Sequence, residues 1–80
     1  MIRLTRHAAE AMELRRISVA WIEATISNPD RFETDPMHAE LTRSYRAIAE
    51  FGSRILRVVH RSEDADIVVI TAHFDRDAMP

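Results

Sequence analysis

Several residue types are missing or scarce in this chain of 80 residues, and each absence excludes a class of protein. There is no cysteine, which excludes disulfide scaffolds, cysteine-ligated zinc, iron–sulfur clusters and thiol nucleophiles. All 11 cationic residues are arginine, and the absence of lysine excludes Schiff-base chemistry and a Walker-type phosphate loop. Glycine occurs once, at Gly52, which marks the most distinctive turn in the chain.

Long hydrophobic runs are also missing. The longest, residues 67–70, is the size of a strand and falls far below the roughly 20 residues that span a bilayer. Residues 1–7 lack the apolar segment of a secretory signal, so we expect a cytoplasmic protein with no membrane association. A length of 80 residues with 46% hydrophobic residues predicts one domain over residues 1–80.

The N-terminal third of the chain predicts two short helices. Residues 2–4 fit either a short edge strand or an entry segment. Thr5 can cap a first helix over residues 6–16, and Ser18 can cap a second helix that ends at Asn28-Pro29. The tight break between them predicts an angled helix pair.

The C-terminal half predicts β-strands, with one ambiguous segment. Strands are expected at residues 31–34, 54–61 and 66–74, and a polar tail is expected from Asp75 to Pro80. A loop is expected at residues 35–40. Residues 41–50 fit a strand, or part of a helix that begins at Asp35-Pro36, which the periodicity slightly favours.

Several blocks of sequence resemble a known bacterial family. They are Leu4-Thr5-Arg6-His7-Ala8, Arg15-Arg16-Ile17-Ser18, Asn28-Pro29-Asp30, residues 50–59 (EFGSRILRVV) and residues 69–76 (VITAHFDR). In order and spacing they resemble the bacterial domain-of-unknown-function family four-two-five-eight, which is distantly related to RelE and ParE type toxins. The resemblance implies a RelE-like α+β fold, with two N-terminal helices packed on one face of a three- to four-stranded antiparallel sheet. It also implies that residues 42–50 form a strand.

A two-residue turn at Gly52-Ser53 determines the predicted register of the two central strands. In that register Phe51 faces Arg54, and the ladder pairs Ala49 with Leu56, Ala47 with Val58 and Tyr45 with His60. The face away from the helices then carries Arg46, Ile48, Arg57, Val59 and Arg61. On the last strand, the predicted core residues are Val68, Ile70, Ala72 and Phe74, and Ile67, Val69, Thr71 and His73 lie on the arginine face.

Charge is concentrated in this central segment. Residues 41–61 contain five arginines and one glutamate, although the whole chain has a net charge of -2. Guanidinium groups bind phosphates in bidentate fashion and stack on bases, so RNA is the expected ligand, bound by Arg46, Arg57 and Arg61.

RNA cleavage without a metal needs a base for the 2′-hydroxyl, a cation for the phosphorane and an acid for the leaving oxygen. We predict Arg57, His73 and His60 as the catalytic residues, while Tyr45 assists only if the register is wrong by one face. The structural alternative is that these arginines pair with carboxylates and the histidines serve packing. The four histidines have no recognisable ligand spacing, so no metal or cofactor is predicted.

Two hypotheses of function follow. The first is an endoribonuclease toxin, neutralised by a small antitoxin that covers the arginine face. The second is a non-catalytic protein–protein interaction module of the same fold, favoured by the absence of lysine and the slightly negative total charge. Because the core of so short a chain is small, a homodimer through Trp21 or an edge strand is also expected.

Overall fold

The computed structural model describes residues 1–76 as a five-stranded mixed sheet with two helices on one face. The elements are β1 (Ile2–Leu4), α1 (Arg6–Arg15), α2 (Val19–Ser27), β2 (Arg31–Thr34), β3 (Thr42–Ile48), β4 (Arg54–Glu63) and β5 (Asp66–Phe74). A 3-10 turn at Ala49–Phe51 links β3 to β4. From residue 77 onward the expected polar tail lies outside the described residues.

Both predicted helix caps are confirmed. The Thr5 hydroxyl accepts a hydrogen bond from the Ala8 N–H at 3.0 Å, and the Ser18 hydroxyl accepts one from the Trp21 N–H at 3.2 Å. Helix α1 stops one residue earlier than predicted because Arg16 adopts a left-handed φ of 56° and closes the last turn.

The sheet has more strands than predicted, and one pair is parallel. The strand order is β1-β5-β4-β3-β2, in which β1 pairs with β5 in parallel and the other neighbours are antiparallel. The expectation of a three- to four-stranded antiparallel sheet was therefore wrong in strand number and in the direction of β1. The implied strand at residues 42–50 is confirmed over Thr42–Ile48.

The predicted register between β3 and β4 was wrong. Ile48 pairs with Arg54 and Tyr45 with Arg57, so the connection contains five residues rather than two. The reason is that Ala49–Phe51 winds into a turn and does not extend β3. The shift is an odd number of residues, so it exchanges the two faces of β3 relative to β4.

A bulge at Ile70 changes the predicted pattern of β5. Val59 pairs with Thr71 and His60 pairs with Val69, which leaves Ile70 without a partner on β4. The prediction is confirmed for Ala72 on the core side, whereas Val69, predicted outside, joins the core. The Ile70 carbonyl accepts from the Thr5 hydroxyl, so the bulge coincides with the start of α1.

The main core lies between the helices and the sheet. Its buried residues are Ala8, Met12, Ile17, Ile22, Ile48, Leu56, Val58, Val69 and Ala72. We call the other side of the sheet the open face, because both helices lie opposite it. Four of its side chains, Tyr45, Ile55, Val59 and Val68, are nevertheless buried. Their neighbours in the ladder include long arginine side chains, whose aliphatic stems can cover apolar surface.

Candidate functional site

One row of side chains crosses the open face from β2 to β5. Each member pairs with the next one on the neighbouring strand: Arg31 pairs with Tyr45, Tyr45 with Arg57, and Arg57 with His73. Directly paired residues share a face, so the four side chains form one line, which we call the central row. The Arg31 guanidinium lies over the Tyr45 ring at 3.9 Å from its centroid.

Arg57 and His73 form the closest polar contact in this row. Nη2 of Arg57 lies 2.6 Å from Nε2 of His73, and Nη1 lies 3.4 Å from a carboxylate oxygen of Asp75. Within residues 1–76, Nε of Arg57 is buried and has no hydrogen-bond partner. The guanidinium therefore has a donor that it does not use.

His73 is held in its neutral form. Burial lowers the pKa of the imidazole, and the positive charge of Arg57 lowers it further. Arginine can only donate hydrogen bonds, so Nε2 of His73 accepts the bond and the ring proton lies on Nδ1. A neutral imidazole with this arrangement can act as a base.

Tyr45 completes the centre of the row. Its ring is 2% exposed, and its hydroxyl donates a 2.9 Å hydrogen bond to Glu33. That bond is the main reason why the pKa of Glu33 is lowered. Tyr45 thus joins the open face because the register differs from the predicted one by a face.

The other arginines of the open face are paired with carboxylates. Arg3 contacts Glu63 and Asp66, Arg31 contacts Glu33, Arg43 contacts Asp35 and Glu33, and Arg61 contacts Glu63, all within 4.0 Å. These pairs neutralise much of the charge that the sequence alone concentrates on the central strands.

Three of the predicted site residues lie away from the central pair. Arg46 is on the helix-bearing face, where it donates to the Asn28 carbonyl at 2.6 Å, so the prediction that it shares a face with Arg57 and Arg61 was wrong. His60 is on that same face, 2.8 Å from the Ser44 hydroxyl. Arg61 shares the open face but lies four residues along β4, about 13 Å from Arg57.

A cleft opens beside His73, at the end of the sheet where β5 finishes and β4 begins. Its volume is about 310 Å³. We call it the arginine cleft, and it is lined by Arg15, Phe51, Arg54, His73, Phe74 and Arg76. In the described part of the chain, none of its three arginines has a carboxylate within 4.0 Å. Within residues 1–76, the cleft therefore brings together three arginines without an ion pair, whereas the arginines of the open face are paired.

An aromatic cluster forms one side of the arginine cleft. The ring centroids of Phe51 and Phe74 are 4.8 Å apart, and Trp21 lies 5.8 Å and 6.1 Å from them. The Arg54 guanidinium lies over both phenylalanine rings, at 5.1 Å and 4.9 Å from their centroids. Arginine stacked on aromatic rings keeps its in-plane donors available to an anion.

Residues 1–76 contain no group of three or more histidine, aspartate or glutamate side chains that could hold a metal ion. No helix in the same range is long and apolar enough to cross a bilayer.

Fold and site together define a small α+β domain with a histidine–arginine pair beside a cationic, aromatic cleft. The chain belongs to the family described as Domain of unknown function (DUF4258), whose model matches residues 4–74. No curated protein and no solved structure matches the chain significantly. The relation to RelE and ParE type toxins remains a prediction.

The sequence-based site omitted three arginines that the structure brings near His73. Arg15 belongs to α1, Arg54 begins β4 and Arg76 follows β5, so only their spatial proximity makes them a group. Tyr45 was named, but on the condition of a different register, and that condition is fulfilled. These arginines come from α1, β4 and the end of β5, so their spacing in a single sequence does not indicate that they lie together.

Proposed function

We propose that the protein is a metal-independent endoribonuclease of the toxin type, with the Arg57–His73 pair as its reaction centre. The observation that carries the proposal is the neutral His73 imidazole, 2.6 Å from a guanidinium, lining a cleft with three further arginines. General-base and cationic groups are the two components that phosphodiester cleavage needs most.

In the proposed reaction, His73 accepts the proton of a ribose 2′-hydroxyl, and the 2′-oxygen attacks the adjacent phosphorus. The bond from phosphorus to the 5′-oxygen then breaks, and the leaving oxygen takes a proton from the imidazolium. The products are a 2′,3′-cyclic phosphate and a free 5′-hydroxyl. Protons balance, because the histidine returns to its neutral form.

Arg57 has two roles in this proposal. In the free protein it keeps His73 neutral, and with RNA bound it transfers its hydrogen bond from Nε2 to a phosphate oxygen, which frees the base. The same movement gives its buried Nε a route to a partner. As negative charge develops on the phosphorane, the permanently charged guanidinium stabilises it.

The proposed partner is a small acidic antitoxin that covers the arginine cleft. Carboxylates on such a partner would pair with arginines that have none among the described residues. This differs from the expectation drawn from the sequence, in which the antitoxin covered the arginines of the sheet face.

The test is cleavage of a single-stranded RNA by the purified protein in the presence of a chelator, with analysis of the product ends. We expect cyclic-phosphate products from the wild type and rates at least about 100-fold lower for His73→Gln and Arg57→Gln. The controls are His38→Gln, at an exposed histidine, and Arg61→Gln, on the same face but paired with Glu63. A folded wild type that cleaves no RNA would refute the proposal.

A second function, a non-catalytic interaction module, is favoured by the ion pairs on the open face. Paired arginines offer little net charge to a polyanion, whereas an electroneutral polar surface suits a protein partner. The purified product of the adjacent gene is the partner to test. Tight binding of that protein, together with no RNA binding at low salt, would favour this function over the first.

A further inference from the structure

We infer that the arginine cleft binds one nucleotide unit, with its base stacked at Phe51 and Arg54 and its phosphate held by Arg15 and Arg76. The inference rests on the proposed function for RNA as the source of that nucleotide. Binding itself, however, can be measured without cleavage, so the two proposals can fail separately.

The charge of the cleft selects an anion. Arg15, Arg54 and Arg76 come together from α1, the start of β4 and the residue pair after β5, and within residues 1–76 no carboxylate lies within 4.0 Å of any of them. Elsewhere on the protein, arginines such as Arg43 and Arg61 are matched by acids. Three unmatched guanidiniums in one concave site are suited to a phosphate, which they can contact in bidentate fashion.

The aromatic side of the cleft selects a flat ring next to that anion. Phe51 is 40% exposed, although it stacks with Phe74 and is partly covered by Arg54. Nucleobases stack both on phenylalanine rings and on arginine planes. A phosphate without a base would leave this surface unused.

Size and position agree with one nucleotide and not a longer segment. A volume of about 310 Å³ is at the lower end of the range for small-molecule sites. His73 lines the same cleft, so a nucleotide held there places its phosphate beside the proposed base. The cleft then selects single-stranded RNA, because a base in a duplex is stacked on its neighbours and cannot enter.

Isothermal titration with four probes tests the inference: adenosine 3′-monophosphate, adenosine, inorganic phosphate and a 2′-O-methyl RNA tetranucleotide that cannot be cleaved. We expect the nucleotide and the tetranucleotide to bind, and adenosine and phosphate to bind at least about tenfold more weakly. Trp21, the only tryptophan, packs against Phe51 and Phe74, so its fluorescence should change with the two binding probes.

Two adjacent arginines provide a matched pair of variants. Arg15 lines the cleft and Arg16 does not, yet both lie at the end of α1, and either substitution removes one charge. Arg15→Gln and Arg54→Gln should each weaken nucleotide binding about tenfold, whereas Arg16→Gln should change it less than twofold. Thermal unfolding confirms that each variant is folded.

The outcomes separate the two proposals. Nucleotide binding that depends on Arg15 and Arg54, in a protein that cleaves nothing, supports this inference and refutes the nuclease. Cleavage by a protein in which Arg15→Gln and Arg16→Gln bind nucleotide equally well refutes the inference alone. Absence of binding by the folded wild type at millimolar nucleotide also overturns it.

Discussion

Arg57 donates a 2.6 Å hydrogen bond to Nε2 of His73 across the β4–β5 ladder, and the two residues are direct cross-strand partners. A guanidinium has no acceptor, so the imidazole must accept at Nε2 and stay neutral for this bond to form. Burial and the arginine charge both lower the pKa of His73, whereas the charge of Asp75 raises it. At neutral pH the residue is therefore a base and not an acid.

The first prediction concerns the titration of this histidine by NMR. In the wild type we expect His73 to titrate below the ordinary value of about 6.5. Arg57→Gln removes a neighbouring positive charge, so the pKa of His73 should rise towards that value. His38→Gln, far along the chain at an exposed residue, should leave the curve unchanged. A wild-type pKa above 6.5 would contradict the neutral state argued from the geometry.

The second prediction concerns stability against pH. Burial lowers the pKa of His60, so between that lowered value and about 6.5 the unfolded chain binds more protons than the native one. The free energy of unfolding should be fully retained above about pH 7 and should fall as the solution is acidified through this window. The slope for one group cannot exceed about 1.4 kcal/mol per pH unit.

His60→Gln can keep a hydrogen bond to the Ser44 hydroxyl. Its free energy of unfolding should fall less than that of the wild type as the pH is lowered through this window. Urea unfolding between pH 5 and 8 measures it, with His38→Gln as the control. The carboxylates with lowered pKa values, such as Glu33 and Glu63, contribute at lower pH, whereas His73, whose pKa is also lowered, contributes in the same window and leaves part of the slope in His60→Gln. If the free energy of unfolding of His60→Gln had the same slope against pH as the wild type, His60 would not be the source of the pH dependence.

Local chemistry was sufficient to predict most of the elements. Caps at Thr5 and Ser18 and the β-rich run that ends at Phe74 are short-range signals, and β2 and β5 have their predicted bounds. What failed was the pairing of strands that depend on distant contacts. Ala49–Phe51 forms a 3-10 turn because Phe51 packs against Trp21 and Phe74. Both partners are distant in the sequence, so the residues around Phe51 do not predict these contacts.

The candidate site, like the fold, could be predicted only in part. Arg57 and His73 were named from strand composition and do lie together. Arg46 was assigned to the face of Arg57 because the predicted register placed it there, and a shift by an odd number of residues moved it to the other face. His60 was named for its chemistry, although its predicted pairing with Tyr45 already put it on the helix-bearing side of β4, where it lies. Side chains alternate between the two faces along a strand, and the turn between two strands determines their register. An error in one turn therefore changes the predicted face of every residue in a strand.

The third prediction compares the two helix caps. Thr5 both accepts from the Ala8 N–H and donates to the Ile70 carbonyl at the bulge, so its hydroxyl joins α1 to β5. Ser18 makes only the local cap, and that cap is exposed. Thr5→Ala should cost about 2 kcal/mol and Ser18→Ala about 1 kcal/mol in chemical unfolding. Equal costs would mean that the bond to Ile70 adds nothing.

The fourth prediction tests the turn that determines the register. Both Gly52 and Ser53 have positive φ angles, 64° and 56°, whereas the expected two-residue turn requires a positive φ only at glycine. Ser53→Val forces a β-branched residue into the left-handed region and should cost about 1–2 kcal/mol. Ser53→Gly relieves that strain, so it should cost much less than Ser53→Val and can be neutral.

Gly52→Ala should cost about 1 kcal/mol in either register, and because nothing lies within 4 Å of the added Cβ, that cost comes from the backbone alone. The cost of Gly52→Ala therefore serves as a reference for the backbone strain expected at Ser53. If Ser53→Val were tolerated as well as Ser53→Gly, the second residue of the turn would have a negative φ. The two-residue turn would then be restored, and Arg46 would return to the face of Arg57.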